Sequence, residues 1–224
     1  FGVRPLFYLK SLHTIGFASQ LKQLSYFHTN IKQYYNIVYL KQFHPGTFIC
    51  YKLEDNNWNY CYKYNYFNLP FYKSVYNENN SILLNKIKHY FEKAVIKRIL
   101  GTSDRPIACL LSGGLDSSLV TSIVSRHVPN LETFSIGIKG GEDLKYAKIV
   151  ADYLGTKHTQ IELSEDDFFN AIPLVIREIE SYDTTTVRAS VGNYLVAKWI
   201  SEHSNAKVIF NGDGSDELMG GYLY

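Results

Sequence analysis

Ser112-Gly113-Gly114-Leu115-Asp116-Ser117-Ser118 combines what binding a phosphate requires: a backbone turned tightly enough to bare its N–H groups, with hydroxyls beside them. The apolar residues 107–111 enter it and the amphipathic residues 119–127 leave it, in the order of buried strand, glycine turn and helix. A helix start adds unpaired amides and the positive end of the dipole, so the turn suits an anion. The lysine of the Walker pattern is missing after the glycines. The spaced glycines of a dinucleotide fingerprint are missing too, since only two occur, side by side.

A second donor loop follows the apolar residues 207–210: Asn211-Gly212-Asp213-Gly214-Ser215-Asp216-Glu217-Leu218-Met219-Gly220-Gly221-Tyr222, with carboxylates at its edge. A third stretch, Glu180-Ser181-Tyr182-Asp183-Thr184-Thr185-Thr186-Val187-Arg188-Ala189-Ser190, reads as a helix end, a hydroxyl-rich loop and the cap of the next helix. Its Arg188 is a fork donor suited to carboxylate or phosphate. Taken alone, that stretch is equally a capping loop with a surface arginine.

The elements around these loops alternate. Residues 81–100 predict a helix burying Leu83, Ile87, Phe91, Ala94 and Val95. Residues 132–137 predict a strand, and 143–154 a helix with Tyr146, Ala147, Val150, Ala151 and Leu154 inward and Gly155 at its C-cap. A strand over 157–163 follows, then a helix capped by Ser164, with three acids in its first turn and Phe168, Ile172, Val175, Ile176 and Ile179 on its apolar face. A helix over 190–203 and a strand over 207–210 complete an α/β pattern, a parallel sheet flanked by helices. Such a sheet gathers the turns after Leu111, Gly137 and Phe210 along one edge, where open α/β sheets bind ligands.

The first seventy residues differ. Short β-type runs at 6–9, 15–18, 37–40, 47–52 and 59–66 are separated by turns at His44-Pro45-Gly46 and Glu54-Asp55-Asn56-Asn57. The last two runs read as a hairpin, which needs a larger sheet or a neighbouring domain to persist in water. Residues 66–80 lose periodicity and gain Asn and Pro, which places a linker at 71–80.

The bulk numbers exclude several classes. With 224 residues and a net charge of +2 from interspersed acids and bases, the chain can bury a core, and no basic face argues for nucleic acid or membrane. The three cysteines, Cys50, Cys61 and Cys109, have no C-x-x-C spacing and point to neither zinc nor a disulfide framework, but to a reducing, cytoplasm-like compartment. No histidine pair has ligand spacing. A chain whose first residue, Phe1, falls within a strand-like segment reads as a fragment, and the sequence leaves a homo-oligomer open.

Ser-Gly-Gly-Leu-Asp-Ser-Ser resembles the pyrophosphate loop of enzymes that split ATP into AMP and pyrophosphate. The second loop is similar to Gly-Glu-Gly-Ser-Asp-Glu-x-x-Gly-Gly-Tyr, and Thr185-Thr186-Val187-Arg188-Ala189-Ser190 to the aspartate segment, of glutamine-hydrolysing asparagine synthetases. That family joins a class II glutamine amidotransferase domain to a pyrophosphate-loop ATP pyrophosphatase domain. Phe1-Gly2-Val3-Arg4-Pro5-Leu6-Phe7-Tyr8, Phe17-Ala18-Ser19-Gln20-Leu21-Lys22-Gln23-Leu24 and Pro45-Gly46-Thr47 resemble the last third of its N-terminal-nucleophile glutaminase domain. The resemblance implies a β-rich glutaminase tail over 1–70, in a structural role only. It also implies the first part of an adenine nucleotide α-hydrolase-like synthetase domain over 81–224.

The implied reaction is ATP-dependent and AMP-forming: L-aspartate becomes β-aspartyl-AMP, and ammonia released from L-glutamine displaces AMP to give L-asparagine. Carried over by motif, Ser112, Gly113, Gly114, Asp116, Ser117 and Ser118 hold the pyrophosphate. Leu111, Ile136, Asn211 and Gly212 hold adenine. Thr185, Thr186 and Arg188 handle aspartate and its adenylate. Asp116 and Asp216, on two loops at one sheet edge, are expected to share Mg2+ on the pyrophosphate, since magnesium prefers one or two carboxylates plus phosphate oxygens. Asn211-Gly212-Asp213 departs from the family's Ser-Gly-Glu. Asp213 keeps the charge one methylene short, for a role in adenylate formation or on the proton of incoming ammonia. A β-lactam-forming relative would share the pyrophosphate loop but not the Thr-Thr-x-Arg-Ala-Ser segment, and a non-catalytic scaffold fragment would share all three motifs without turnover.

Overall fold

The computed structural model describes residues 4–32, 39–68 and 79–222, and the chain divides into two compact units, Phe1–Asn77 and Glu78–Tyr224. Phe1, Gly2 and Val3 of the first glutaminase-like motif, residues 37 and 38 of an expected strand, and residues 71–78 of the expected linker lie outside the described residues.

In the first unit, β1(Phe7–Lys10) pairs antiparallel with both β2(Ile15–Ala18) and β3(Tyr39–Gln42). A helix not expected from the sequence, α1(Leu21–Lys32), follows β2; among its described side chains Leu24 is buried, with Cδ2 packed over Gly16. The expected hairpin is β4(Thr47–Glu54) and β5(Asn57–Asn65). Its turn is tighter than the four-residue Asp/Asn run implies. Asp55 and Asn56 alone make it, at φ +48° and +62°, the left-handed pair that two-residue hairpins use to match strand twist. Among the described residues this hairpin pairs with no third strand, and Tyr60, Tyr62 and Tyr64 stand exposed on it.

The second unit begins with α2(Asn80–Gly101), started by Asn79, whose Oδ1 accepts from Ser81 N–H at 3.0 Å. Its apolar face is fully buried at Val95 and Ile99 and half-buried at Leu83 and Phe91, and from Phe91 onward it meets β6(Ile107–Leu110) and α3(Leu115–Ser125). Ile87 and Ala94, expected inside, are exposed. β7(Glu132–Ile138), α4(Glu142–Leu154) and β8(Lys157–Leu163) follow as the alternation predicts. On α4 the inward residues are Leu144, Ala147 and Ala151, while Tyr146, placed inside by spacing alone, is exposed. Gly155 closes the helix at φ +67° as expected.

The four strands of this unit form one parallel sheet in the order β8-β7-β6-β9, with β9(Val208–Phe210) on the far side of β6. Helices cover both faces, so the central β6 reads as an apolar run rather than an alternation, while the edge strand β8 buries only Ile161 fully. Cys109 packs toward α2 and α3 with Val120, Ile123 and Val124, and Ala108 toward Val196 and Ile200 of α6(Thr184–His203). Burial pushes the Cys109 thiol up to about 12, against a smaller opposing effect of the Thr121 hydroxyl, which leaves this cysteine a packing residue. α5(Glu165–Ile179) starts in a reciprocal cap: Ser164 Oγ accepts from Asp167 N–H at 3.2 Å and Asp167 Oδ2 accepts from Ser164 N–H at 2.9 Å. Ala171 and Val175 of α5 close against Val187 and Val191 of α6. No helix among the described residues is long and apolar enough to cross a membrane.

Between β7 and β8 the sheet carries a half-buried imidazole. His158 Nδ1 lies 3.0 Å from Thr133 Oγ1 and its Nε2 3.1 Å from Ser135 Oγ. Burial first, then the Lys148 ammonium, holds its pKa below the ordinary histidine value. The unfolded chain therefore takes up a proton there near pH 6.5, whereas the folded chain does so only lower. The stability that follows is complete above about pH 6.5 and is lost as pH falls through the depressed folded value. Urea midpoints measured from pH 7.5 to pH 5.5 are expected to decline, and His158→Gln to flatten that decline. An equal slope in the variant would contradict it.

Candidate functional site

The connections of the sheet decide where a ligand fits. From β6 the chain moves outward to β7 and β8, and it returns to β6's other side only at β9. The order reverses between β6 and β9, so the loops after these two adjacent strands diverge and leave a crevice at their carboxyl ends. Those loops are the first and second motifs.

A cavity of about 430 Å³ lies there, lined by Ser112, Asp116 and Ser117 from one loop and by Asn211, Gly212, Asp213, Asp216 and Glu217 from the other. Gly212 is pressed against the start of α3. A Cβ there would stand 2.8 Å from both Asp116 Cβ and Ser117 N, distances no side chain tolerates. α3 starts at Gly114 with no side-chain cap, so its first amides are left for a ligand.

Inside the first loop the hydroxyls brace the backbone. Ser117 Oγ accepts from Ser112 N–H at 3.2 Å, lies 2.9 Å from Ser112 Oγ and is within 3.3 Å of Gly114 O. Ser117, expected to donate to an anion, thus also fixes the loop. Ser118 does not reach the cavity wall, and its Oγ is buried with no partner among the described residues. Gly113 is used structurally: at φ +81° it faces α4, and an added Cβ would lie 2.5 Å from Tyr146 C. In the second loop Asn211 Nδ2 donates to Asp213 Oδ2 at 2.7 Å, and Tyr222 Oη donates to Glu217 Oε1 at 2.7 Å, which holds the Glu217 carboxyl below its usual range. Asp116 and Asp216 accept no side-chain hydrogen bond among the described residues, and both face the same cavity. No group of three or more metal-binding side chains occurs among the described residues, so a cation here would complete its shell from the ligand.

A smaller cavity of about 130 Å³ adjoins, lined by Leu111, Phe134, Ser135, Ile136, Asp143 and Val196, with Leu110, Ser112 and Asn193 shared by both. Leu111 and Ile136, expected around adenine, therefore line this smaller slot, whose wall also carries Ser135 and Asp143, while Asn211 and Gly212 line the larger one.

The third motif is helix, not loop. Asp183 caps α6: its Oδ1 accepts from Thr186 N–H and Thr186 Oγ1, each at 2.8 Å, and these bonds hold its carboxyl below the ordinary value. The helix therefore begins six residues before the expected Ser190, and Thr185 lies on one face with Ala189 and Asn193, which line the cavity. Arg188 is not brought to that cavity. It lines a separate apolar groove of about 430 Å³ with Phe168, Ile172, Val187 and Val191. Asn193 and Asp143 lie outside the three motifs, and Ala189, Glu217 and Tyr222, though within them, carried no individual role; the period of α6 traced back to Asp183 would have found Ala189 and Asn193.

A family model described as asparagine synthase matches residues 86–224, more than half of the chain. The chain belongs to the asparagine synthase family. It is 46% identical over 148 residues to an asparagine synthetase [glutamine-hydrolyzing] of Oryza sativa subsp. japonica, a match covering 62% of this chain and 24% of that protein. It is 44% identical over 146 residues to the asparagine synthetase [glutamine-hydrolyzing] of Homo sapiens, covering 62% and 26%. The chain thus spans about a quarter of the length of the relatives it matches. Solved structures with a distant likeness include an NH3-dependent NAD synthetase from Campylobacter jejuni, at 17% identity and TM-score 0.43 over 62% of this chain and 60% of that one. Another is a glutamine-dependent NAD+ synthetase from Acinetobacter baumannii, at 15% identity and TM-score 0.46 over 83% and 32%.

Proposed function

We propose that residues 81–224 are the first part of the synthetase domain of a glutamine-hydrolysing asparagine synthetase, and residues 1–70 the tail of its glutaminase domain. The reaction is the ATP-dependent amidation of L-aspartate. Its β-carboxylate attacks the α-phosphorus of ATP, the bond to pyrophosphate breaks, and ammonia supplied from glutamine then displaces AMP from β-aspartyl-AMP. The observation that carries this is the convergence of two polar loops on one cavity, at an uncapped helix start.

In this reading the amides at the start of α3 receive the charge that builds on the leaving pyrophosphate. Ser112 and Ser117 hold those amides in place, so the donors need not reorganise during the reaction. Leu111 and Ile136 take the adenine. Asp213, which accepts from Asn211 on the cavity wall, supports adenylate formation or receives a proton from ammonia. Thr185, Thr186 and Arg188 handle aspartate, a role that rests on the motif. Of these, the Thr185 face is the one turned toward the cavity-lining Ala189 and Asn193.

Asp116 and Asp216 suit a magnesium ion, being two carboxylates that accept no side-chain hydrogen bond among the described residues and that line one cavity of about 430 Å³. These two carboxylates would hold the ion, which would supply neutralisation of charge on the leaving pyrophosphate. Asp216→Ala is expected to raise the magnesium concentration needed for half-maximal ATP binding by roughly tenfold or more; an unchanged magnesium titration would remove Asp216 from the site. The free thiols of Cys50, Cys61 and Cys109 support a cytoplasmic location. ATP–pyrophosphate exchange by full-length protein, offered a panel of carboxylates, tests the whole reading. Exchange stimulated by L-aspartate is expected, and exchange stimulated only by another carboxylate would point to a different amide-forming relative.

A further inference from the structure

Asn193 stands where the two cavities meet. Leu110, Ser112 and Asn193 are common to both walls. Leu110 is apolar, and the Ser112 hydroxyl is engaged with Ser117 Oγ at 2.9 Å and Gly114 N–H at 3.3 Å. The Asn193 carboxamide makes no hydrogen bond within the described residues. It sits one turn beyond Ala189, which lines the larger cavity, and three residues before Val196, which lines the smaller slot.

A nucleotide is built in the same order as this wall. With its phosphates between the loops and its base in the slot, its sugar lies at the junction, an inference that rests on the nucleotide reading given above. A carboxamide carries two N–H donors and a carbonyl acceptor, and a ribose diol carries two hydroxyls that each donate and accept. Backbone amides recognise phosphate whatever the sugar, and Asn193 brings the one polar side chain on the shared wall that has no hydrogen bond within the described residues.

We propose that Asn193 is a specificity-determining residue that reads the ribose hydroxyls and selects ribonucleotides over 2′-deoxyribonucleotides. The side chain is exposed to the cavity mouth, so water replaces part of a lost hydrogen bond. The preference is therefore about fivefold, the scale of one net hydrogen bond, and not the far larger factor of a sealed site.

The test compares magnesium-ATP and magnesium-2′-deoxy-ATP by titration calorimetry, using the whole 224-residue chain. The unaltered chain is expected to bind ATP about fivefold more tightly. Asn193→Leu and Asn193→Ala, surface changes on a long helix, are each expected to bring the ratio near one while leaving the affinity for inorganic pyrophosphate unchanged. Asn193→Gln is expected to restore part of the preference. An unaltered ratio in both truncations, or equal binding of the two nucleotides by the unaltered chain, overturns the assignment to Asn193. Binding of neither nucleotide by the unaltered chain overturns the nucleotide reading itself, a failure distinguished by the loss of ATP binding altogether.

Discussion

Gly212→Ala is expected to weaken ATP binding roughly 100-fold while leaving the fold in place. Nothing about the backbone angle of Gly212 forbids alanine; the neighbours do. The added methyl would lie 2.8 Å from Asp116 Cβ, 2.8 Å from Ser117 N and 3.0 Å from Asp116 C. These are atoms of the first helical turn, with no flexible side-chain end among the nearest three. Carbon atoms settle at roughly 3.5–4.0 Å, so the loops must part by up to about 1 Å. Displacements of that size at a preorganised anion site are costly, because the amides no longer converge on one phosphate. The second loop is at the edge of the sheet rather than in its core, so urea unfolding should move little. A dissociation constant within about twofold of the parent would show that the two loops need not touch for the nucleotide to bind.

Gly113→Ala should act on stability first. At φ +81° an L side chain is strained by roughly 1–2 kcal/mol. Its Cβ would also meet the backbone of α4, at 2.5 Å from Tyr146 C and 2.6 Å from Ala147 N, and overpacking of this kind costs roughly 1–3 kcal/mol. Together about 2–5 kcal/mol of unfolding free energy should be lost, read from urea midpoints at unchanged slope. Gly140→Ala is the control. Gly140 has a similar φ, +78°, but an added Cβ meets nothing within 4 Å, so only the strain should appear. Equal losses in the two variants would mean that α4 yields, and that Gly113 is kept for its angle alone.

What the sequence makes legible and what it hides have physical causes. β6 and β7 lie inside the sheet and bury consecutive residues, so they stand out without any periodicity, whereas the edge strand β8 buries only Ile161 fully and is read from its place between Gly155 and Ser164. Ser164 with Asp167 three residues on announces the start of α5 to the residue, because capping chemistry is local. The beginning of α6 is hidden for the opposite reason. Three threonines look like loop until Asp183 is seen to satisfy Thr186 N–H, and only then do Thr185, Ala189 and Asn193 fall on one face. α1 is not hidden by its own chemistry: Leu21, Leu24 and Ile31 recur at helical spacing, a pattern obscured by the short β-type runs on either side.

The site divides along the same line. Two adjacent glycines followed by hydroxyl residues specify an anion-binding turn, and parallel-sheet topology brings the second loop beside it. That Ser117 braces the loop, that Ser118 is buried away from the cavity and that Arg188 lies in another groove all depend on side-chain direction, which spacing within a loop does not encode.

Amide hydrogen exchange of the chain with and without magnesium-ATP, resolved by peptide, reads the central geometry directly. Slowed exchange is expected together in the peptides carrying residues 112–118 and 212–217, with little change in the groove formed by Phe168, Ile172 and Arg188. Slowing confined to one of the two loops, or centred on that groove, would contradict the claim that both loops hold a single phosphate tail.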